Sequence, residues 1–119
     1  MLETITYDIT LDTFHSLLQN NPGLLIIKLF STWCRPCDLI KNNVDEWFSI
    51  MPNNIQTVTL DIDKSFGVYA ALKNRKMLSG IPAILMYKKG NITFIPNESV
   101  NSSNINEIDF FFMKCIHIK

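Results

Sequence analysis

The stretch Leu24-Leu25-Ile26-Ile27-Lys28-Leu29-Phe30 is apolar at alternate and at intervening positions, broken only by Lys28. A strand with one wet face alternates apolar and polar residues. A continuous run is what a strand inside a sheet needs, with both faces covered. Shortly after it stand Trp33-Cys34-Arg35-Pro36-Cys37, then Asp38-Leu39-Ile40-Lys41, with Val44, Trp47 and Phe48 as later apolar positions. The pattern predicts a buried strand, a short turn, and a helix that starts at Cys34 and runs to about Ile50. Pro36 suits the first helical turn, where a missing N–H is no loss. A helix start has free N–H groups and a positive dipole end, and both stabilise a thiolate. The thiolate is the nucleophilic form, so Cys34 is the candidate reactive group. Cys37, one turn on, is close enough to close a disulfide.

The rest of the chain supplies layers for such a strand. Ile5-Thr6-Tyr7-Asp8-Ile9 alternates and predicts a first strand. Thr10 or Asp12 can cap a helix carrying Leu11, Phe14, Leu17 and Leu18, which Asn20-Asn21-Pro22-Gly23 ends. After a turn at Pro52-Asn53-Asn54, Ile55 to Ile62 predicts a second buried strand, and about Phe66 to Lys73 a short helix. Ile84-Leu85-Met86-Tyr87 and Ile92-Thr93-Phe94-Ile95 flank Lys89-Gly90-Asn91 and predict a β-hairpin. Ser102, Ser103 or Asn104 can begin a last helix. Asn104 and Glu107 have capping-box spacing, and Ile105, Ile108, Phe111, Phe112 and Cys115 are expected to face the core. The expectation is an α/β fold, a central mixed β-sheet flanked by helices, in a single domain over residues 1–119.

Trp-Cys-x-Pro-Cys after a buried strand resembles the thioredoxin family. Gly80-Ile81-Pro82-Ala83, with the residues to Gly90, is similar to that family's cis-proline segment and following hairpin. Thr57-Val58-Thr59-Leu60-Asp61-Ile62-Asp63 resembles its central strand and closing acidic pair. The match runs in order from about Leu24 to Gly90; the flanks fit only by pattern. The resemblance implies a thioredoxin-like fold and a thiol–disulfide oxidoreductase that reduces protein disulfides through Cys34 and Cys37, with no cofactor. Cys34 would attack a client disulfide, and Cys37 would resolve the mixed disulfide. It implies disulfide-containing proteins as partners, and a thioredoxin reductase or other electron donor. Trp33 is expected to cover the redox site. The Ile81–Pro82 bond is expected to be cis, with the Ile81 backbone pairing to an incoming peptide as an added strand. Two other functions stay open: a disulfide oxidant or isomerase, and a binding module within a larger assembly.

The departures from the family are specific. Where it carries an acidic residue in the strand before the cysteines, this chain has Lys28. The usual lysine of the neighbouring strand aligns with Thr59, and Pro96-Asn97-Glu98-Ser99 lacks the usual glycine after the hairpin. Arg35 stands where glycine is familiar, and its charge favours a thiolate. A buried ammonium calls for a carboxylate partner, a lowered pKa or a route to water, and Asp61 is one candidate partner. A zinc site is the competing use of a Cys-x-x-Cys pair. It needs four ligands, and only Cys115, His15, His117 and carboxylates remain to complete it, so no metal is expected.

Composition narrows the partners. Hydrophobic residues make up 47% of the chain, enough for a core, and the formal net charge is zero, which argues against nucleic acid. The longest apolar run is too short to cross a bilayer. Met1-Leu2-Glu3-Thr4 leads into no apolar stretch of the kind a secretory signal needs. Three cysteines do not make a disulfide scaffold. A monomer in a reducing compartment, the cytoplasm, is the expectation.

Overall fold

The apolar run becomes β1 (Leu24–Phe30) in the structure, a computed structural model that describes residues 2–117. The strand β2 (Ile55–Asp61) pairs with it in parallel on one side, and β3 (Ala83–Lys88) antiparallel on the other. A short β4 (Glu98–Val100) adds to β3, giving a mixed sheet in the order β2-β1-β3-β4. β1 is thus flanked on both edges, as its composition demands. Its alternation divides two cores. Leu25, Ile27 and Leu29 pack with Phe14, Leu18, Val68 and Leu72 from α1 (Leu11–Gln19) and α3 (Phe66–Asn74). Leu24 and Ile26 pack with Ile40, Val44, Phe48, Phe111 and Phe112 from α2 (Arg35–Ser49) and α4 (Ile105–Ile116). The result is the expected α/β class, a sheet between two helical layers. Among the described residues no helix is long and apolar enough to cross a membrane.

The helices begin where their caps allow. Thr10 Oγ1 accepts the Thr13 N–H at 3.2 Å, and Asn104 Oδ1 accepts the N–H groups of Asn106 and Glu107 at 2.9 and 3.3 Å. The Asn104 N–H is taken by Ser102 Oγ at 2.9 Å, so Ser102 fills the role a capping box gives to the glutamate. Gly23 is required by contact: a Cβ there would lie 2.6 Å from the Asn54 carbonyl oxygen, the same atom that accepts the Leu24 N–H.

Three expectations are corrected. The first strand shrinks to a single parallel bridge, in which Ile5 donates to Thr57 O (3.0 Å) and accepts from Thr59 N–H (2.8 Å). The chain then leaves the edge of β2 to bury Ile9 in the core beneath α1 and α3, where Ser65 Oγ takes its N–H at 3.0 Å. The return strand of the hairpin is Glu98–Val100 rather than Ile92 to Ile95. Asparagine side chains outcompete the ladder here: Asn91 Nδ2 donates to Ile95 O (2.8 Å) and Asn91 Oδ1 accepts from Thr93 N–H (3.0 Å). Asn97 Oδ1 takes the Lys88 N–H (2.8 Å), and Phe94 folds back onto Phe14, with ring centroids 5.3 Å apart. Finally, Ile105 lies in the first turn of α4 and is exposed rather than in the core.

Candidate active site

The end of β1 places the cysteines. The chain turns through Ser31-Thr32-Trp33, and Cys34 takes extended backbone angles as the N-cap of α2. Cys34 N–H reaches back to Ser31 O (3.3 Å), and Asp38 N–H closes onto Cys34 O (3.3 Å). The Cys37 N–H donates to Cys34 Sγ at 3.1 Å, so the thiol occupies the position a capping oxygen normally fills. Pro36 lies within the first turn, as its ring requires. Cys34 and Cys37 are joined as a disulfide with their Cα atoms 5.3 Å apart. Both are buried in this form, Cys34 at 4% and Cys37 at 2% exposure. The Cys37 N–H and the positive end of the helix dipole are both directed at Cys34 Sγ, an arrangement that favours negative charge on that sulfur.

The third cysteine is built for packing. Cys115 is free and buried in the core between α2 and α4, where burial and then the nearby Glu98 push its thiol up to about 12. His15 lies across the sheet from it, against the Phe94 ring at 5.0 Å. The zinc alternative therefore lacks a meeting point, and among the described residues no group of three or more metal-ligating side chains gathers.

Trp33 is on the surface, 68% exposed, and its Nε1–H donates to Asp63 Oδ2 at 2.8 Å. The indole is thus tied down beside the cysteines by a residue from the loop after β2. Arg35 opens α2 as an exposed residue and forms no ion pair among the described residues. Asp61 is not the partner of Lys28: its Oδ1 accepts the Asp63 N–H at 2.9 Å in a local turn. Lys28 is only 4% exposed, sits opposite Thr59 in the register, and holds its Nζ 5.7 Å from the centre of the Phe30 ring. It lines the same cleft as Cys37. Burial lowers its pKa from the usual value, Asp45 and Asp38 on α2 act to raise it, and Lys41 acts to lower it.

The Ile81–Pro82 peptide bond is cis. Ala83 pairs with Leu29, so Pro82 lies at the end of the sheet from which the cysteine turn leaves. This segment is held by a residue that sequence reasoning missed. Asn101 Oδ1 accepts from Ser79 N–H (2.9 Å) and Ser79 Oγ (2.6 Å), and its Nδ2 donates to Gly80 O (3.1 Å) and Pro82 O (2.7 Å). An asparagine after a three-residue strand carries no signal in sequence; its four partners lie about twenty positions away and meet it only in the fold. The main-chain N–H and C=O of Ile81 have no hydrogen-bond partner among the described residues.

The Thioredoxin family model matches residues 5–112, nearly the whole chain. The chain belongs to the thioredoxin family. Among its relatives, Thioredoxin Y2, chloroplastic, of Arabidopsis thaliana is 28% identical over 83 residues, covering 70% of this chain and 47% of that protein. Thioredoxin 3 of Plasmodium falciparum is 27% identical over 105 residues, covering 88% of this chain and 54% of that one. The chain spans about half the length of these relatives. Trichomonas vaginalis thioredoxin superposes with a TM-score of 0.73 over 94% of this chain and 96% of that one, at 20% identity, a likeness of fold.

Proposed function

We propose that this thioredoxin-family chain is a thiol–disulfide oxidoreductase that reduces disulfides of client proteins. The observation that carries the reading is the disulfide at the N-terminus of α2, with the Cys37 N–H directed at Cys34 Sγ. In the dithiol form, the Cys34 thiolate attacks one sulfur of a client disulfide. That bond breaks, and one client sulfur leaves as a thiolate that takes up a proton. Cys37 loses its proton and attacks Cys34 Sγ; the second client sulfur leaves, and the Cys34–Cys37 bond remains. Two electrons have passed to the client, and an external donor, a thioredoxin reductase or another dithiol, restores them. The exposed Trp33 and the free main chain of Ile81 support docking of an extended client segment beside Pro82. A monomer in a reducing compartment, the cytoplasm, completes the reading, supported by a single exchangeable pair and one buried thiol.

The test is insulin reduction driven by dithiothreitol. Cys34→Ser is expected to abolish turnover, and Cys37→Ser to accumulate a mixed disulfide that added thiol dissolves. Parent-rate turnover in both variants would refute the two-cysteine mechanism. A second reading, a disulfide oxidant or isomerase, is favoured by Lys28, whose ammonium shares a cleft with Cys37 and would stabilise its thiolate. A reduction potential well above the roughly −270 mV of thioredoxin would select it.

A further inference from the structure

Behind Cys37, α2 does not close onto the sheet. A cleft of about 660 Å³ opens between α2, the ends of β1 and β2, and the N-terminal segment, a size within the roughly 300–1,000 Å³ of small-molecule sites. The rings of Phe30 and Phe48 form apolar wall. Three polar side chains of this wall that are not exposed have no hydrogen-bond partner among the described residues: Lys28, Thr59 and Ser31, whose Oγ is buried. Lys28, 96% buried by its 4% exposure, forms no hydrogen bond or ion pair among the described residues. Thr59, directly opposite it on β2, lines the cleft with a hydroxyl that likewise has no hydrogen bond among them. In-register neighbours project to the same face, so the two donors stand side by side. A buried ammonium without a counter-charge is costly, and a ligand that supplies one relieves the cost.

The remaining charges decide which ligand. Lys41 and Asp45 on α2 neutralise each other at 2.7 Å, and Asp38 stands exposed at the rim. β2 contributes only Thr59, and the N-terminal segment only Thr4 and Thr6. Two cations and two carboxylates line the cleft, but Asp38 is in water, whereas Lys28 is the one charged side chain among the described residues that is buried, and it has no carboxylate in contact. That suits a ligand with a single negative charge, which two nearby carboxylates tolerate better than a doubly charged phosphate.

We propose that this cleft binds a small organic monocarboxylate, its head on Lys28 Nζ and Thr59 Oγ1 and its apolar body along Phe30 and Phe48. Two carboxylate oxygens meet two donors, one of them charged. Binding needs the ammonium form, which burial disfavours, so affinity falls as pH rises through the lowered Lys28 pKa. Asp38, Lys41 and Asp45 are the other ionisable groups facing Lys28, with the Cys37 thiol in the reduced protein. That thiol couples the site to redox state: a Cys37 thiolate competes with the ligand for the same ammonium, so the disulfide form binds more tightly, and by linkage the ligand favours the disulfide. The coupling rests on the oxidoreductase reading above; the binding itself does not.

The experiment is titration of the full-length oxidised protein with octanoate, followed by calorimetry, with 1-octanol as the uncharged control. Saturable octanoate binding is expected, stronger than that of octanol. Lys28→Met should weaken it by about tenfold or more, the loss of a charged hydrogen bond, and Thr59→Val by a few-fold. Thr59→Val keeps shape and fold, so it reads the head-group contact even if Lys28→Met repacks. Equal affinity for octanol, octanoate binding unchanged in both variants, or no saturable binding would overturn the site. The reduced protein at pH 8 should bind more weakly than the oxidised; equal affinities would overturn the coupling. Insulin reduction by the same preparation tests the oxidoreductase reading separately.

Discussion

Lys28 sits in the middle strand of a sheet with no carboxylate in contact, and its charge is held there at a cost. Its folded pKa lies below the ordinary 10.5, so the unfolded chain binds that proton more tightly. The penalty is complete below the folded pKa, fades as pH rises towards 10.5, and is gone above it. Lys28→Met should therefore be more stable than the parent in urea melts at pH 7, with the gap closing at pH 11. Asn101 is the second residue whose chemistry the fold decides. Asn101→Ala removes four hydrogen bonds from the segment around Pro82. A loss of about 1–3 kcal/mol is expected, since exposed hydrogen bonds contribute towards the low end of their range. Steady-state insulin reduction should show a raised KM, with far-UV circular dichroism unchanged. Both residues were visible as letters. Lys28 announced itself by interrupting an apolar run, whereas Asn101 looked like any polar residue between a strand and a helix.

At the scale of elements, periodicity was legible wherever one segment buries its own face. β1, α2, β2, α3 and α4 follow their apolar patterns to within a residue or two, and Thr10 and Asn104 cap where their side chains allow. The pattern misled at Ile92-Thr93-Phe94-Ile95, which has strand composition but no free ladder to join, because Asn91 and Asn97 satisfy the backbone locally. The end of α3 was not legible either. Met77 N–H reaches Leu72 O (2.9 Å) and Lys76 N–H reaches Lys73 O (3.0 Å), the paired bonds of a Schellman stop, with Lys76 at φ 58°. Glycine is the residue that this position favours. Lys76→Gly should gain up to about 1 kcal/mol, the left-handed penalty less the added freedom of the unfolded chain, read as a higher urea midpoint with an unchanged slope.

For the whole molecule, the weak place is the outer edge of β2, where among the described residues the backbone ladder is extended by the single Ile5 bridge. Ile5→Pro deletes the donor to Thr57 O while leaving the Ile5 carbonyl in place. It should cost about 1–2 kcal/mol and speed amide exchange at Thr59 before that of β1, as hydrogen-exchange mass spectrometry would show. The sequence by itself determined the layers, the buried strand, the helix opening at Cys34 and the cysteine pair, because each of these is written in neighbouring residues: a burial period, a cap, a spacing of one turn. Only the tertiary structure decided where β4 pairs, that Trp33 is tied to Asp63, that Asn101 braces the Pro82 segment, and that Lys28 faces a cleft shared with Cys37 and Thr59. Those contacts join positions far apart in the chain, and their energies exist only once the sheet has brought the partners together.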